Sequence, residues 1–220
     1  MTTTNDAPRL RNHWWPRPGW QPGRIMLTWH LTFNEAHALH EHVTEYQNAL
    51  ARLPGLNLVP TEWLHLTIQG ISYADEASAE KLAEIIESVG SELATMNPFN
   101  LTFGRPVVFG EAIAIQPEPA EPLQQLLATI RTGIGTVTGD QAVPTGPEQA
   151  NGFHPHVSIA YSHTQTDSAP YVAALAATER DPVTARIGAV SLIRQERQLD
   201  PHWLYRWTTE AAVPLGPAAI

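Results

Sequence analysis

Trp63-Leu64-His65-Leu66-Thr67-Ile68-Gln69-Gly70-Ile71 and, further along, Phe153-His154-Pro155-His156-Val157-Ser158-Ile159-Ala160-Tyr161 contain the same tetrapeptide, H-Φ-[S/T]-Φ with Φ apolar. Both stretches are rich in β-branched and aromatic residues, so strands are predicted over 63–71 and 153–161. Successive side chains of a strand point to opposite faces. His65 and Thr67 therefore share one face and Leu66 and Ile68 the other, and His156 and Ser158 are set against Val157 and Ile159 in the same way. Each stretch presents one polar face and one face suited to a core.

The flanking sequence alternates strand and helix. An apolar run at 25–33 reads as a strand. Helical spacing of Leu39, Val43, Tyr46 and Leu50 predicts a helix over 34–53, with Asn34 as N-cap and Pro54-Gly55 as its end. A second helix is expected over 75–96, strands over 99–103 and 107–115, and a third helix over 121–138 with Pro122 in its first turn. After a Gly/Pro-rich loop at 139–152 and the second His stretch come a short helix at 168–180 and strands at 183–193 and 203–209. Neighbouring strands joined by short turns point to an α+β fold with mixed or antiparallel sheets and outer helices. The order strand, helix, His-bearing strand occurs at 25–71 and again at 107–161, which suggests a bilobal body of two pseudo-symmetric lobes with a groove between them. We expect a Pro/Trp-rich extended arm over 1–24, one bilobal domain over 25–215, and a tail over 216–220.

Composition narrows the chemistry. The chain has 220 residues and no cysteine, which excludes disulfides, thiolate metal sites and cysteine nucleophiles. Its formal net charge is −9 and Lys81 is its one lysine, so duplex DNA and other long polyanions are unsuitable ligands. A small phosphorylated molecule needs no more than a few placed arginines, whose planar guanidinium meets phosphate in a bidentate way. No apolar run approaches the roughly 20 residues of a membrane helix and no signal-peptide pattern is present, so a cytoplasmic location is expected.

Histidine is the unusual residue, with ten copies. An imidazole pair suits metal-independent phosphodiester cleavage, in which neutral histidine takes a proton from water and protonated histidine gives one to the leaving oxygen. Both states are accessible near neutrality because the ordinary imidazole pKa is about 6.5. Thr67 and Ser158, on the same faces as His65 and His156, can donate to the non-bridging phosphate oxygens. A cyclic phosphate fits such a site, since ring opening needs only an activated water and one delivered proton. The scheme calls for no metal and no cofactor. Two other readings stand beside it: a non-catalytic module that binds a nucleotide or an RNA end, and a metallohydrolase built on His154, His156 and a carboxylate.

With the two motifs about ninety residues apart, the chain resembles the 2H phosphoesterase superfamily, which includes 2′-5′ RNA ligase-like proteins and RNA 2′,3′-cyclic phosphodiesterases. Pro60-Thr61-Glu62-Trp63-Leu64, Phe153-His154-Pro155, Val190-Ser191-Leu192-Ile193, Tyr205 and Pro214-Leu215 are similar to the family's flanking patterns, so the resemblance runs from Ile25 to Leu215. It implies a bilobal fold with the motifs facing each other, and hydrolysis of a cyclic phosphate on a nucleotide or a short RNA end. His65, Thr67, His156 and Ser158 become the expected catalytic set. Many RNA-directed members have a basic residue after the second motif; here Ala160-Tyr161 stands there, and Tyr161 offers a stacking surface instead. Arg105 and Arg194 are taken as phosphate contacts, with Arg186 and Arg197 weighed beside them. A third match, His30-Leu31-Thr32-Phe33, falls on the family's first strand; His30 is carried as a substrate contact, in which case Trp29 must pack into the body. His37, His40 and His42 read as a solvated helical cluster, and His13, His163 and His202 show no pattern.

Overall fold

The computed structural model describes residues 6–140, 143, 152–200 and 202–217. Its elements in chain order are β1 (Arg9–Leu10), β2 (Ile25–Thr32), α1 (His37–Leu50), β3 (Leu56–Leu58), β4 (His65–Tyr73), α2 (Ala79–Leu93), β5 (Phe99–Phe103) and β6 (Val107–Val108). They continue with β7 (Ala112–Ile115), α3 (Glu121–Thr138), β8 (Val157–Ser162), β9 (Thr166–Asp167), α4 (Ala169–Ala176), β10 (Val183–Ile187), β11 (Ala189–Gln198) and β12 (Leu204–Pro214).

Two four-stranded sheets dominate, in the orders β12-β11-β2-β4 and β3-β8-β7-β6, and every strand pair among the described residues is antiparallel. The first sheet packs against α2 and α3, and the second lies beside α1 and α4. The expected α+β architecture with outer helices is therefore present. Each sheet contributes one His stretch, on β4 and at the start of β8, and these two strands come into contact.

Burial follows the alternation. Leu27, Trp29 and Leu31 of β2 and Leu66 and Ile68 of β4 are at most 1% exposed, as are Val157 and Ile159 of β8. Withdrawing an aliphatic side chain of this size from water is worth about 1.5–3 kcal/mol, so a one-residue register slip would forfeit most of this face. Helix α2 begins where the Ser78 hydroxyl accepts from the Lys81 amide at 3.2 Å and buries Leu82, Ile85, Val89 and Leu93. Its partner α3 approaches it at Gly133, where a Cβ would stand 2.7 Å from the Val89 Cα.

Several boundaries differ from expectation. Helix α1 starts at His37 behind Ala36, with no side-chain cap, so Asn34 does not serve as its N-cap. The run 107–115 is split into β6 and β7 by a turn in which Gly110 has φ 75° and the Phe109 amide donates to the Ala112 carbonyl. The run 183–193 divides between β10, which pairs with β5, and β11, which reaches Gln198; β12 runs on to Pro214. Short β1, β3 and β9 had no strand signal, because two or three residues cannot display a period. Most of the expected loop at 139–152 lies outside the described residues.

The arm is ordered over 6–24 and tied to both halves. On the second half, Ala7, Arg11 and His13 donate backbone hydrogen bonds to Val108, Gly110 and Ser162, and β1 pairs with β9. Toward the first half, Arg24 pairs with Asp75 at 3.0 Å, and the Tyr73 hydroxyl donates to the Pro18 carbonyl at 3.2 Å. Trp14, 6% exposed, is the hydrophobic anchor between these ends.

Candidate active site

The two motif histidines are held by the same device. The single-turn helix Thr61–Trp63 leaves the Trp63 carbonyl 2.9 Å from the Nδ1 of His65, and the His154 carbonyl lies 2.9 Å from the Nδ1 of His156. A carbonyl can only accept, so Nδ1 carries the proton in each ring and Nε2 is the nitrogen that gains or gives up a proton. One pleat on, Thr67 is half-buried and Ser158 is 6% exposed.

Aromatic side chains line the surroundings. His65 is stacked on His30 (centroids 4.7 Å apart, planes at 25°) and meets the edge of Trp207 at 5.1 Å, while Tyr205 stands 6.4 Å away. His156 packs on Phe109 at 4.6 Å. The sheet register explains the first group: Gln195 pairs with Trp207 and Arg197 with Tyr205, so these four side chains occupy one face of β11 and β12.

Burial decides the charge state of the inner histidine. His65 is pushed down to about 4, chiefly by desolvation; the Trp63 carbonyl opposes the shift and His156 adds to it. His30 is held well below the usual imidazole range, first by burial and then by His65. Both rings are neutral at pH 7. That His156 disfavours a charge on His65 places the two motif rings within electrostatic reach of each other.

The arm brings a fourth imidazole. His13 stacks on Tyr161 (4.4 Å, 24°), its Nε2 lies 3.1 Å from the Tyr205 hydroxyl, and its Nδ1 is 3.7 Å from Glu111. Its pKa is lowered well below the usual value by burial, then by Arg17, Arg197, His156 and His65, so all of these surround it. Arg197 is 6% exposed, donates to the Trp15 carbonyl at 3.0 Å, and lies over Trp20 (4.7 Å) and Trp14 (5.4 Å). Trp14 packs on Tyr161 and Tyr205 and so covers the body.

Other expected contacts are elsewhere. Arg194, one residue out of phase with Arg197, faces α2, pairs with Glu210 at 3.2 Å and lines a separate cavity of about 300 Å³ with Ser78 and Leu82. Strand alternation thus turns it away from the histidines, and it is not in a position to touch a substrate there. Arg105 is exposed and pairs with Asp6 at 3.3 Å, so the arm occupies it. His30 is 0% exposed, behind His65 and Thr67, and does not line an open surface as a substrate contact would; Trp29 packs into the core as the alternation required. His42, read with a solvated cluster, is fully buried, with Nε2 at 3.0 Å from the Gly104 carbonyl. Among the described residues no three His, Asp or Glu side chains are arranged to hold a metal ion.

Sequence reasoning missed His13, Arg17 and Trp207. Nothing local marks His13, whose place depends on the route of the arm. Tyr205-x-Trp207 was legible as two aromatics on one strand face.

Antiparallel sheets and four helices in this arrangement make a LigT-like α+β fold. TT0787 of Thermus thermophilus superposes with a TM-score of 0.66 at 18% identity, over 88% of this chain and 100% of that one. E. coli LigT in apo form gives 0.56 at 16% over 88% and 98%, and LigT complexed with 3′-AMP gives 0.60 at 14% over 87% and 98%. No curated protein matches by sequence. The model of the 2′-5′ RNA ligase superfamily matches residues 35–199, and the chain belongs to that superfamily, the 2H phosphoesterases. Its members act on phosphodiester bonds.

Proposed function

We propose that this protein hydrolyses a 2′,3′-cyclic phosphate on a nucleotide or a short RNA end without a metal, with His65 and His156 as the acid–base pair. The observation that carries the reading is the matched pair of imidazoles, each with Nδ1 tied to the carbonyl two residues earlier and Nε2 as the nitrogen that exchanges a proton. His65, neutral through burial, is the base: its Nε2 takes a proton from water as the water oxygen bonds to phosphorus. The bond from phosphorus to one ribose oxygen breaks, and that oxygen takes the proton of His156 Nε2. The hydroxyls of Thr67 and Ser158 donate to the non-bridging oxygens as charge gathers there. Tyr205, half-buried, offers ring surface for a base; Tyr161, expected to stack on one, is 4% exposed beneath His13 and does not line an open surface. The same groups run the reverse, ligating step, because acid and base exchange roles.

Support from relatives is of the same kind: E. coli LigT has been crystallised with 3′-AMP and with phosphate. A net charge of −9 favours a small ligand over a duplex. The test is phosphorus NMR of a 2′,3′-cyclic nucleotide, and of a short RNA ending in that group, in excess chelator. Ring opening that persists there and falls by about 10² to 10⁴ in both His65→Ala and His156→Ala is the expected result. Turnover retained in both variants, or abolished by chelator, refutes the scheme.

A further inference from the structure

The two halves of the site differ in what stands behind the hydroxyl. Thr67 is paired across the sheet with His30, whose Nε2 lies 3.3 Å from the Thr67 Oγ1. Ser158 is paired with Ala114, and among the described residues its hydroxyl has no hydrogen-bond partner. His30 itself is completely buried, and among the described residues its Nδ1 has no hydrogen-bond partner. Burial keeps the ring neutral, so it carries a single proton, on one nitrogen or the other.

The surroundings select between the tautomers. A proton on Nδ1 would be a buried donor without an acceptor, which folded proteins rarely tolerate. It would also force Nε2 to accept the Thr67 hydroxyl proton, turning that proton away from any ligand. A proton on Nε2 is satisfied by Thr67 Oγ1 and leaves only a lone pair unmet at Nδ1. We propose that His30 is a positioning residue in its Nε2–H form, donating to Thr67 Oγ1 and so directing the Thr67 hydroxyl proton toward the phosphate. The same ring, stacked on His65 at 4.7 Å, limits rotation of that imidazole about its side-chain bonds. The Ser158 hydroxyl has the Ala114 methyl, not an imidazole, across the sheet, so Thr67 is the preorganised donor of the two. This rests on the cyclic-phosphate reading above and adds a residue that never touches substrate.

Two measurements on the full chain test it. Long-range ¹⁵N–¹H correlation of the histidine rings reads the tautomer without any turnover; a protonated Nε2 and bare Nδ1 at His30 are expected, and the opposite pattern overturns the proposal whatever the substrate. A double-mutant cycle reads the relay. Thr67→Val should lower kcat on the cyclic nucleotide by about 10². His30→Phe, which keeps a ring against His65, should lower kcat about ten-fold with KM unchanged, and His30→Gln, which can donate from its amide, should recover most of that loss. In the Thr67→Val background His30→Phe should have no further effect. An equal ten-fold loss in both backgrounds would mean that His30 acts as packing only and would overturn the relay. Wild-type protein that opens no cyclic phosphate, with His30 still protonated on Nε2, would instead remove the reaction assigned to the site.

Discussion

Lowering the pH from 7 to 5 should destabilise this protein through its buried histidines. His65 is folded with a pKa of about 4, whereas the unfolded chain returns it to about 6.5. Between those values the unfolded state binds more protons, so stability rises with pH and is lost as pH falls through that window. Linkage with these two values gives a loss of about 2 kcal/mol between pH 7 and pH 5 from His65 alone. His13 and His30 shift in the same direction through burial and add to the loss. Urea unfolding at half-unit steps measures it, with His65→Gln as the control, since that variant lacks the titrating ring and should lose about 2 kcal/mol less than wild type over the same interval. Identical losses in wild type and His65→Gln, or a wild-type stability flat from pH 7 to 5, would refute the claim that burial holds these rings neutral.

Three further outcomes follow from the geometry. The rate profile on a cyclic nucleotide should show an acidic limb near pH 4, where His65 becomes protonated, and kcat/KM measured from pH 3.5 to 9 checks it. Trp14→Ala should destabilise by about 3–5 kcal/mol, because the anchor of the arm is 6% exposed; thermal unfolding together with faster proteolysis near residue 20 reports it. Gly133→Ala should destabilise by about 1–3 kcal/mol, since its Cβ would stand 2.7 Å from the Val89 Cα, and the shift in denaturation midpoint measures this.

Much of the site was legible because strand alternation is a local property. His65, Thr67, Leu66 and Ile68 fall on the faces that the period of two assigns to them, and the third helix spans 121–138 as its apolar spacing required. Helix and strand ends were read less well. Asn34 has the chemistry of an N-cap, yet the turn before α1 is set by the Ala36 amide donating to the Phe33 carbonyl at 3.0 Å. The arginines show the sharper limit: Arg194 and Arg197 look alike in the sequence, yet three positions along β11 put them on opposite faces, one toward α2 and the other buried beneath the arm.

The sequence by itself determined the strand and helix alternation, the two polar faces with their histidines and hydroxyls, and the absence of thiol chemistry, because each depends on residue identity within a few positions. Only the tertiary structure decided that His13 reaches the site from the arm, that His30 lies behind Thr67, and that His65 is neutral. Each of these is set by which distant segments pack together and by how completely they exclude water, and neither the register of β2 against β4 nor the path of the arm leaves a local trace in the chain.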